Sequence, residues 1–205
     1  GAREWPRLSG QRHGNLLKGT GTSRGNEFTW EAYRAPDRLE GYSRDVTWGE
    51  PIQLLNGRDL SGWETLGSRE SQWTVRDGML VNQGTGANLR TTGEFRDFKL
   101  HIEFKIPEGS NSGIYLRGRY ETQVADDYGK EPYIRMVGGI YGQLAPLTNA
   151  TRPAGEWNVL DATIIDYRVT IVLNGQTTLD GALISGITGG ALNPNEWAPG
   201  PIMLQ

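Results

Sequence analysis

Between Phe98 and Ile106 every second residue is apolar: Phe98, Leu100, Ile102, Phe104 and Ile106 alternate with Lys99, His101, Glu103 and Lys105. A period of two puts the first set on one face of an extended strand and the second on the other, so the segment must bury one face and wet its opposite. Shorter segments repeat the signal. Gln72 to Val75 and Met79 to Val81 flank Arg76-Asp77-Gly78, and Trp157 to Ile165 precedes Arg168 to Thr178, which Asn174-Gly175 should fold back as a hairpin. Asp-Gly and Asn-Gly pairs accept the positive φ of a tight hairpin turn. No segment reads as a long amphipathic helix. Short antiparallel strands bury their apolar faces by stacking two sheets or closing a barrel, so an all-β chain, specifically a β-sandwich, is expected.

Composition supports many turns between short strands: glycine supplies 29 of 205 residues, about twice the usual ~7 %, alongside ten prolines and seven tryptophans. This length suits one full domain plus a partial second unit. A net charge of −3 argues against a nucleic-acid partner, which calls for a basic stripe. No apolar run approaches the roughly 20 residues of a membrane-spanning helix. With no cysteine, disulfides and thiolate chemistry are excluded. The sequence is silent on oligomeric state.

Residues 1 to 45 are polar and glycine-rich, with two expected strands, Asn15 to Thr22 and Glu27 to Arg34, around Ser23-Arg24-Gly25-Asn26. They read as a partial upstream β segment followed by a linker, Ala35 to Gly41. A second unit, 46 to 205, starts near Val46. The sequence begins with Gly-Ala-Arg-Glu rather than Met and stops at Gly200-Pro-Ile-Met-Leu-Gln205, an apolar run that reads as a strand in progress.

The run Asn111-Ser-Gly-Ile-Tyr-Leu-Arg-Gly-Arg-Tyr-Glu-Thr-Gln-Val-Ala-Asp-Asp127 places charge inside a strand-forming segment. As one strand from Ser112 to Val124 it would line Tyr115, Arg117, Arg119, Glu121 and Gln123 along one face, roughly 6.6 Å apart and spanning about 26 Å. Such a row suits a sugar chain; its alternative meaning is a solvated face with cross-strand ion pairs. Gly118 offers a second geometry, a bulge or turn that splits the row in two. Asp126 and Asp127 are candidate oxygen ligands for a divalent metal, or simply a loop end.

Familiar nucleophile and phosphate-binding motifs are missing, and His13 and His101 are far apart, His101 on the polar face of its strand. Acid-base work in this sequence therefore falls to carboxylates, among which Glu121, Asp126, Asp127 and Glu156 lie in or beside the segments of interest. The long loop from Gly138 to Asn158 adds Tyr141, Asn149, Arg152, Glu156 and Trp157. An aromatic platform with several polar hands suits a carbohydrate; Trp157 itself is expected in the core. Asn111, Tyr115, Gln123, Tyr141, Asn149 and Glu156 are thus the expected substrate-binding residues, and Glu121, Arg117 and Arg119 the expected catalytic ones. Asn149-Ala-Thr151 also matches a glycosylation sequon.

Six motifs carry a resemblance. Leu55-Asn-Gly-Arg-Asp-Leu-Ser-Gly-Trp63, Trp73-Thr-Val-Arg-Asp-Gly-Met-Leu80, Asn111 to Glu121, Pro153-Ala-Gly-Glu-Trp-Asn158, Thr188-Gly-Gly190 and Pro199 to Gln205 together resemble the 3-keto-disaccharide hydrolase domain family over residues 46 to 205. The resemblance implies a concanavalin A-like, two-sheet jelly roll that handles carbohydrate on its concave face. It also implies an exported bacterial protein, periplasmic or secreted, cleaving glycosides already oxidised to a ketone at sugar carbon 3. In the family the final run continues into a Gly-Asp-His-Gly turn and a last strand, so the jelly roll is expected to be truncated here, with a strand missing and a sheet edge exposed. The family's histidine is expected beyond Gln205 and the 205-residue piece to be inactive or poorly soluble.

A ketone at carbon 3 acidifies the proton on carbon 2; its removal leaves an enolate placed to expel the group on carbon 1, and water addition completes a net hydrolysis. Such a site needs a base near carbon 2 and a positive or hydrogen-bonding group at the ketone oxygen. The expectation is Glu121 as base or metal ligand, with Arg117 and Arg119 or a divalent metal at the enolate. A non-catalytic carbohydrate-binding module of the same fold is the alternative, and a purely structural domain a third.

Overall fold

The structure, a computed structural model, describes residues 6–38 and 45–205 and contains no helix among them. The first three strands, β1 (Arg7–His13), β2 (Leu16–Ser23) and β3 (Asn26–Tyr33), form an antiparallel meander. The two expected strands are β2 and β3. Sequence reading missed β1, whose Arg-Leu-Ser-Gly-Gln-Arg-His run holds one large apolar residue and is exposed throughout. After this meander Arg38 enters the main body: its Nη2 lies 2.6 Å from Glu196 and its Nε donates to Ile184 O at 2.9 Å. Part of the expected linker, 39 to 41, lies outside the described residues.

The main body is a sandwich. One sheet runs in the order β13 (Gln176–Leu183), β12 (Arg168–Leu173), β11 (Asn158–Ile165), β8 (Phe98–Phe104). The other runs β10 (Tyr120–Ala125), β9 (Asn111–Leu116), β14 (Met203–Leu204), β7 (Leu89–Thr91), β4 (Trp63–Thr65). A separate hairpin joins β5 (Trp73–Arg76) to β6 (Met79–Asn82) across Asp77-Gly78, both at positive φ as the sequence predicts. Facing rows build the core. Leu100, Ala162, Ile171 and Leu179 are register partners across the first sheet, and Leu89, Leu204 and Ile114 across the second; all are buried. The alternation from Phe98 onward does what its period requires, with His101, Lys99 and Glu103 outside and His101 Nδ1 2.7 Å from Asp161 on the neighbouring strand.

Two expectations change. Ser112 to Val124 is not one strand but takes the second geometry that Gly118 offers: the chain reverses between β9 and β10, where Arg117 (φ 55°) and Gly118 (φ 63°) are both left-handed and Arg119 N donates to Leu116 O. Two successive positive-φ residues mark a type I′ turn, whose twist suits a hairpin. The expected 26 Å row is therefore folded onto itself. Trp157 is not in the core; it is 40 % exposed with Lys105 Nζ 5.1 Å from its ring centroid, because β11 begins one residue later. The terminal strand β14 sits in the middle of its sheet, paired on both sides.

The turn generates a prediction. Gly118 is left-handed and a Cβ there would stand 3.3 Å from Leu192, while a left-handed L-residue costs about 1–2 kcal/mol. Gly118→Ala should lower stability by at least that amount, read as a reduced urea midpoint with unchanged slope.

Candidate functional site

The reversal at Arg117-Gly118 brings Glu121 opposite Tyr115 in the register of β9 and β10. Their backbones do not bond each other. Glu121 N donates to Thr188 Oγ1 at 3.0 Å and Glu121 O accepts from Tyr141 N at 2.9 Å, both on the outer edge of β10. A non-hydrogen-bonded pair of this kind brings its side chains closest together. Both point away from the core cluster, which Ile114, Leu116, Tyr120 and Val124 join from the same two strands. The outward face continues across the sheet as Tyr115, Met203, Arg90 and Glu64, register partners in turn; Arg90 Nε donates to Glu64 at 2.8 Å.

Glu121 is 5 % exposed. Its carboxyl lies over Gly113, where a Cβ would meet Oε1 at 2.5 Å, so glycine makes the space that the acid occupies. None of the ion pairs among the described residues includes Glu121. Burial pushes its carboxyl above the usual range, and Tyr115 beside it partly offsets the effect. Tyr115 is held in turn: its hydroxyl donates to Gly189 O at 3.1 Å, and burial followed by the Glu121 carboxylate pushes its pKa upward. Gly190 at φ 78° presses on the same hydroxyl, 2.6 Å from where a Cβ would be. Thr188 sews this loop to β10 with two bonds to Arg119 O, each 2.9 Å.

The other expected residues divide into two groups. Gln123 and Asn111 extend the Glu121 face, joined by a 2.9 Å bond from Gln123 Nε2 to Asn111 Oδ1, and Tyr141 flanks it through its backbone. The rest are placed elsewhere. Arg117 is 1 % exposed, donating to Arg96 O and to Asp97 at 2.9 Å, with its guanidinium 5.9 Å from the Tyr167 ring. Arg119 donates to Asn193 Oδ1 at 2.9 Å and to the carbonyls of Arg117, Ala198 and Pro199. The expected convergence of both guanidiniums on Glu121 is not met, because a turn residue's long side chain reaches past the strand end, Arg117 to the opposite sheet and Arg119 to the 193–199 loop. Asn149 spends its amide on Asp127 O, Lys130 O and Thr151. Glu156 is exposed in the turn before β11, beside the end of β8.

The aspartates are similarly committed. Asp127, 1 % exposed, accepts from Lys130 Nζ and Tyr133 Oη at 2.9 Å and from Val137 N at 3.2 Å; Asp126 accepts from Gly109 N at 3.0 Å. Oxygens already occupied by protein donors do not suit a metal, and among the described residues no group of three or more acidic or histidine side chains converges as a ligand set. Sequence reasoning missed Gly113 and the roles of Thr188 and Gly189. Only pairing Tyr115 with Glu121 across an Arg-Gly turn would have revealed them.

Linkage supplies a test of the buried acid. A carboxyl whose folded pKa is raised ionises first in the unfolded chain, so its contribution to stability falls as pH climbs from the unfolded value, about 4.3, through the folded one. Glu121→Gln should therefore raise the melting temperature at neutral pH and match the wild type below about pH 4; a lower melting temperature at pH 7 would contradict the geometry.

The sequence matches the profile of the 3-keto-alpha-glucoside-1,2-lyase-like domain over residues 50–205. It is 26 % identical to a 3-keto-disaccharide hydrolase of Bacteroides thetaiotaomicron, an alignment covering 59 % of this chain and 54 % of the relative, so the chain spans about half of that protein's length. A crystal structure of a predicted glycosyl hydrolase from Parabacteroides distasonis is similar at 32 % identity and a TM-score of 0.62, covering 83 % of this chain and 92 % of that one. A carbohydrate-binding module, CBM66 of Bacillus subtilis, shares the fold alone, at 14 % identity and a TM-score of 0.50 over 70 % of this chain and 86 % of that one. The two-sheet, all-β body is thus a jelly-roll sandwich, and the chain belongs to the 3-keto-alpha-glucoside-1,2-lyase-like domain family.

Proposed function

We propose that this chain is a glycoside-cleaving enzyme whose substrates carry a ketone at sugar carbon 3, with Glu121 as the base that removes the carbon 2 proton. The observation carrying this reading is the carboxyl itself: buried, outward-facing, outside every ion pair among the described residues, and made a stronger base by burial, which raises its pKa. A carboxylate kept only for structure would be expected to have a cation or several donors; this one has Tyr115. Family membership and the hydrolase names of its relatives support the substrate class.

Elimination differs from ordinary glycoside hydrolysis, which sets two carboxylates about a sugar ring. Here one acid takes the proton, electrons flow to the ketone oxygen and back, and the carbon 1 substituent leaves. Tyr115, held protonated by its raised pKa, is a hydrogen-bond donor rather than a base. Gln123, Asn111 and Tyr141 border the face and are the groups we assign to sugar hydroxyls. The concanavalin A-like fold also serves binding modules, and the buried acid is what favours catalysis over binding alone.

In the full-length protein, Glu121→Gln should reduce kcat on a 3-keto-glucoside about 10²–10⁴-fold while retaining binding. Binding without turnover in the wild type would instead establish a carbohydrate-binding module. Gly113→Ala touches no substrate yet displaces the carboxyl that overlies it; a shift of about 1 Å can cost roughly 10²-fold, and stopped-assay kinetics should show the loss in kcat more than in KM.

A further inference from the structure

Charge developing on the ketone oxygen calls for a donor, and neither Arg117 nor Arg119 is free to supply one. A different cation stands over Tyr141, the residue that borders this face. Gly142 N donates to Ile134 O at 2.8 Å, which sets residue 135 beside Tyr141, and Tyr141 N is bonded to Glu121 O. The Arg135 guanidinium carbon lies 5.6 Å from the Tyr141 ring centroid. Its segment is anchored on both sides, by Tyr133 Oη and Val137 N on the buried Asp127 carboxylate. Arg135 itself is exposed, and among the described residues its side chain makes no hydrogen bond or ion pair. A planar cation with five donors, stacked on an aromatic ring and carried by a pinned loop, is oriented without being consumed.

We propose that Arg135 recognises the carbon 3 ketone oxygen and holds the negative charge that forms there; this rests on the reading that the chain acts on 3-keto-glycosides. In the step, Glu121 takes the carbon 2 proton, the C–H pair becomes the C2–C3 double bond, and the carbonyl pair moves onto the oxygen facing Arg135. Its return forms the C1–C2 double bond and breaks the bond from carbon 1 to the leaving oxygen, which receives the proton from Glu121. Water then adds, hydroxyl to carbon 1 and proton to carbon 2. One glycoside and one water are consumed and no oxidant is required.

Because Arg135 is exposed, Arg135→Ala should fold with an unchanged melting temperature. Its kcat on a 3-keto-glucoside should fall about 10²-fold or more, with part recovered in Arg135→Lys and part by adding guanidinium chloride to Arg135→Ala. Small-molecule rescue is a readout that a merely structural residue would not move. In the Glu121→Gln background, calorimetric titration should show the ketone sugar binding at least about 10-fold tighter than its unoxidised parent, a preference abolished by adding Arg135→Ala. Turnover in Arg135→Ala within about threefold of wild type, or a loss that guanidinium fails to restore, would overturn the role of Arg135 and leave Glu121 as base intact. Absence of wild-type turnover on any 3-keto-glycoside, with equal binding of ketone and parent, would overturn both.

Discussion

The reversal of the chain at Arg117-Gly118 is the constraint on which the site depends. Placing a non-glycine residue at φ 55° is costly, and so is removing a guanidinium from water; burial, more than any other cause, lowers the Arg117 pKa. Both costs are offset in one place. The Arg117 side chain crosses to Asp97, the Arg96 carbonyl and the Tyr167 ring, closing one end of the sandwich where β9 and β10 would otherwise splay. Once the turn is set, the hairpin register follows, and with it the pairing of Tyr115 with Glu121. The outer edge of β10 is then presented to two loops, which supply Thr188 and Tyr141 to the backbone of Glu121.

Three buried carboxylates show how differently a buried acid can be held. Glu196 meets Arg38 and the Tyr120 hydroxyl and ties the segment after the meander to the sandwich. Asp127 gathers Lys130, Tyr133 and Val137 N and fixes the loop that bears Arg135. Both are satisfied by direct donors, as a buried charge must be if the fold is to tolerate it. Glu121 lacks such compensation and faces outward. An acid left in that condition weakens the folded state at neutral pH.

The strands were largely legible because alternation and turn residues are local signals. Phe98 to Phe104, the Asp77-Gly78 hairpin and the Asn174-Gly175 hairpin could be read directly, since the side-chain period and the positive φ of glycine act over a few residues. The failures share one origin. Gly118 marks a possible turn, but Arg117 before it carries no turn propensity, so the choice between strand and reversal depends on partners some twenty or more residues away in sequence, Asp97 and Arg96 among them. Asn149, Asp126 and Asp127 have the composition of a ligand set but spend their polar atoms on backbone and neighbouring side chains. Residue type alone does not reveal whether an oxygen is already occupied.

What the amino-acid sequence determined by itself was the strand content, the several tight turns, and the presence of Glu121 in a segment that mixes charge with strand propensity. Tertiary structure alone decided which groups Glu121 meets. Side-chain alternation assigns a residue to a face, but the partners on that face come from other strands and loops. Bringing Tyr115, Gly113, Thr188 and Tyr141 around one acid, while drawing Arg117 and Arg119 away from it, required the packing of two sheets and the burial of charges whose compensation lies far along the chain.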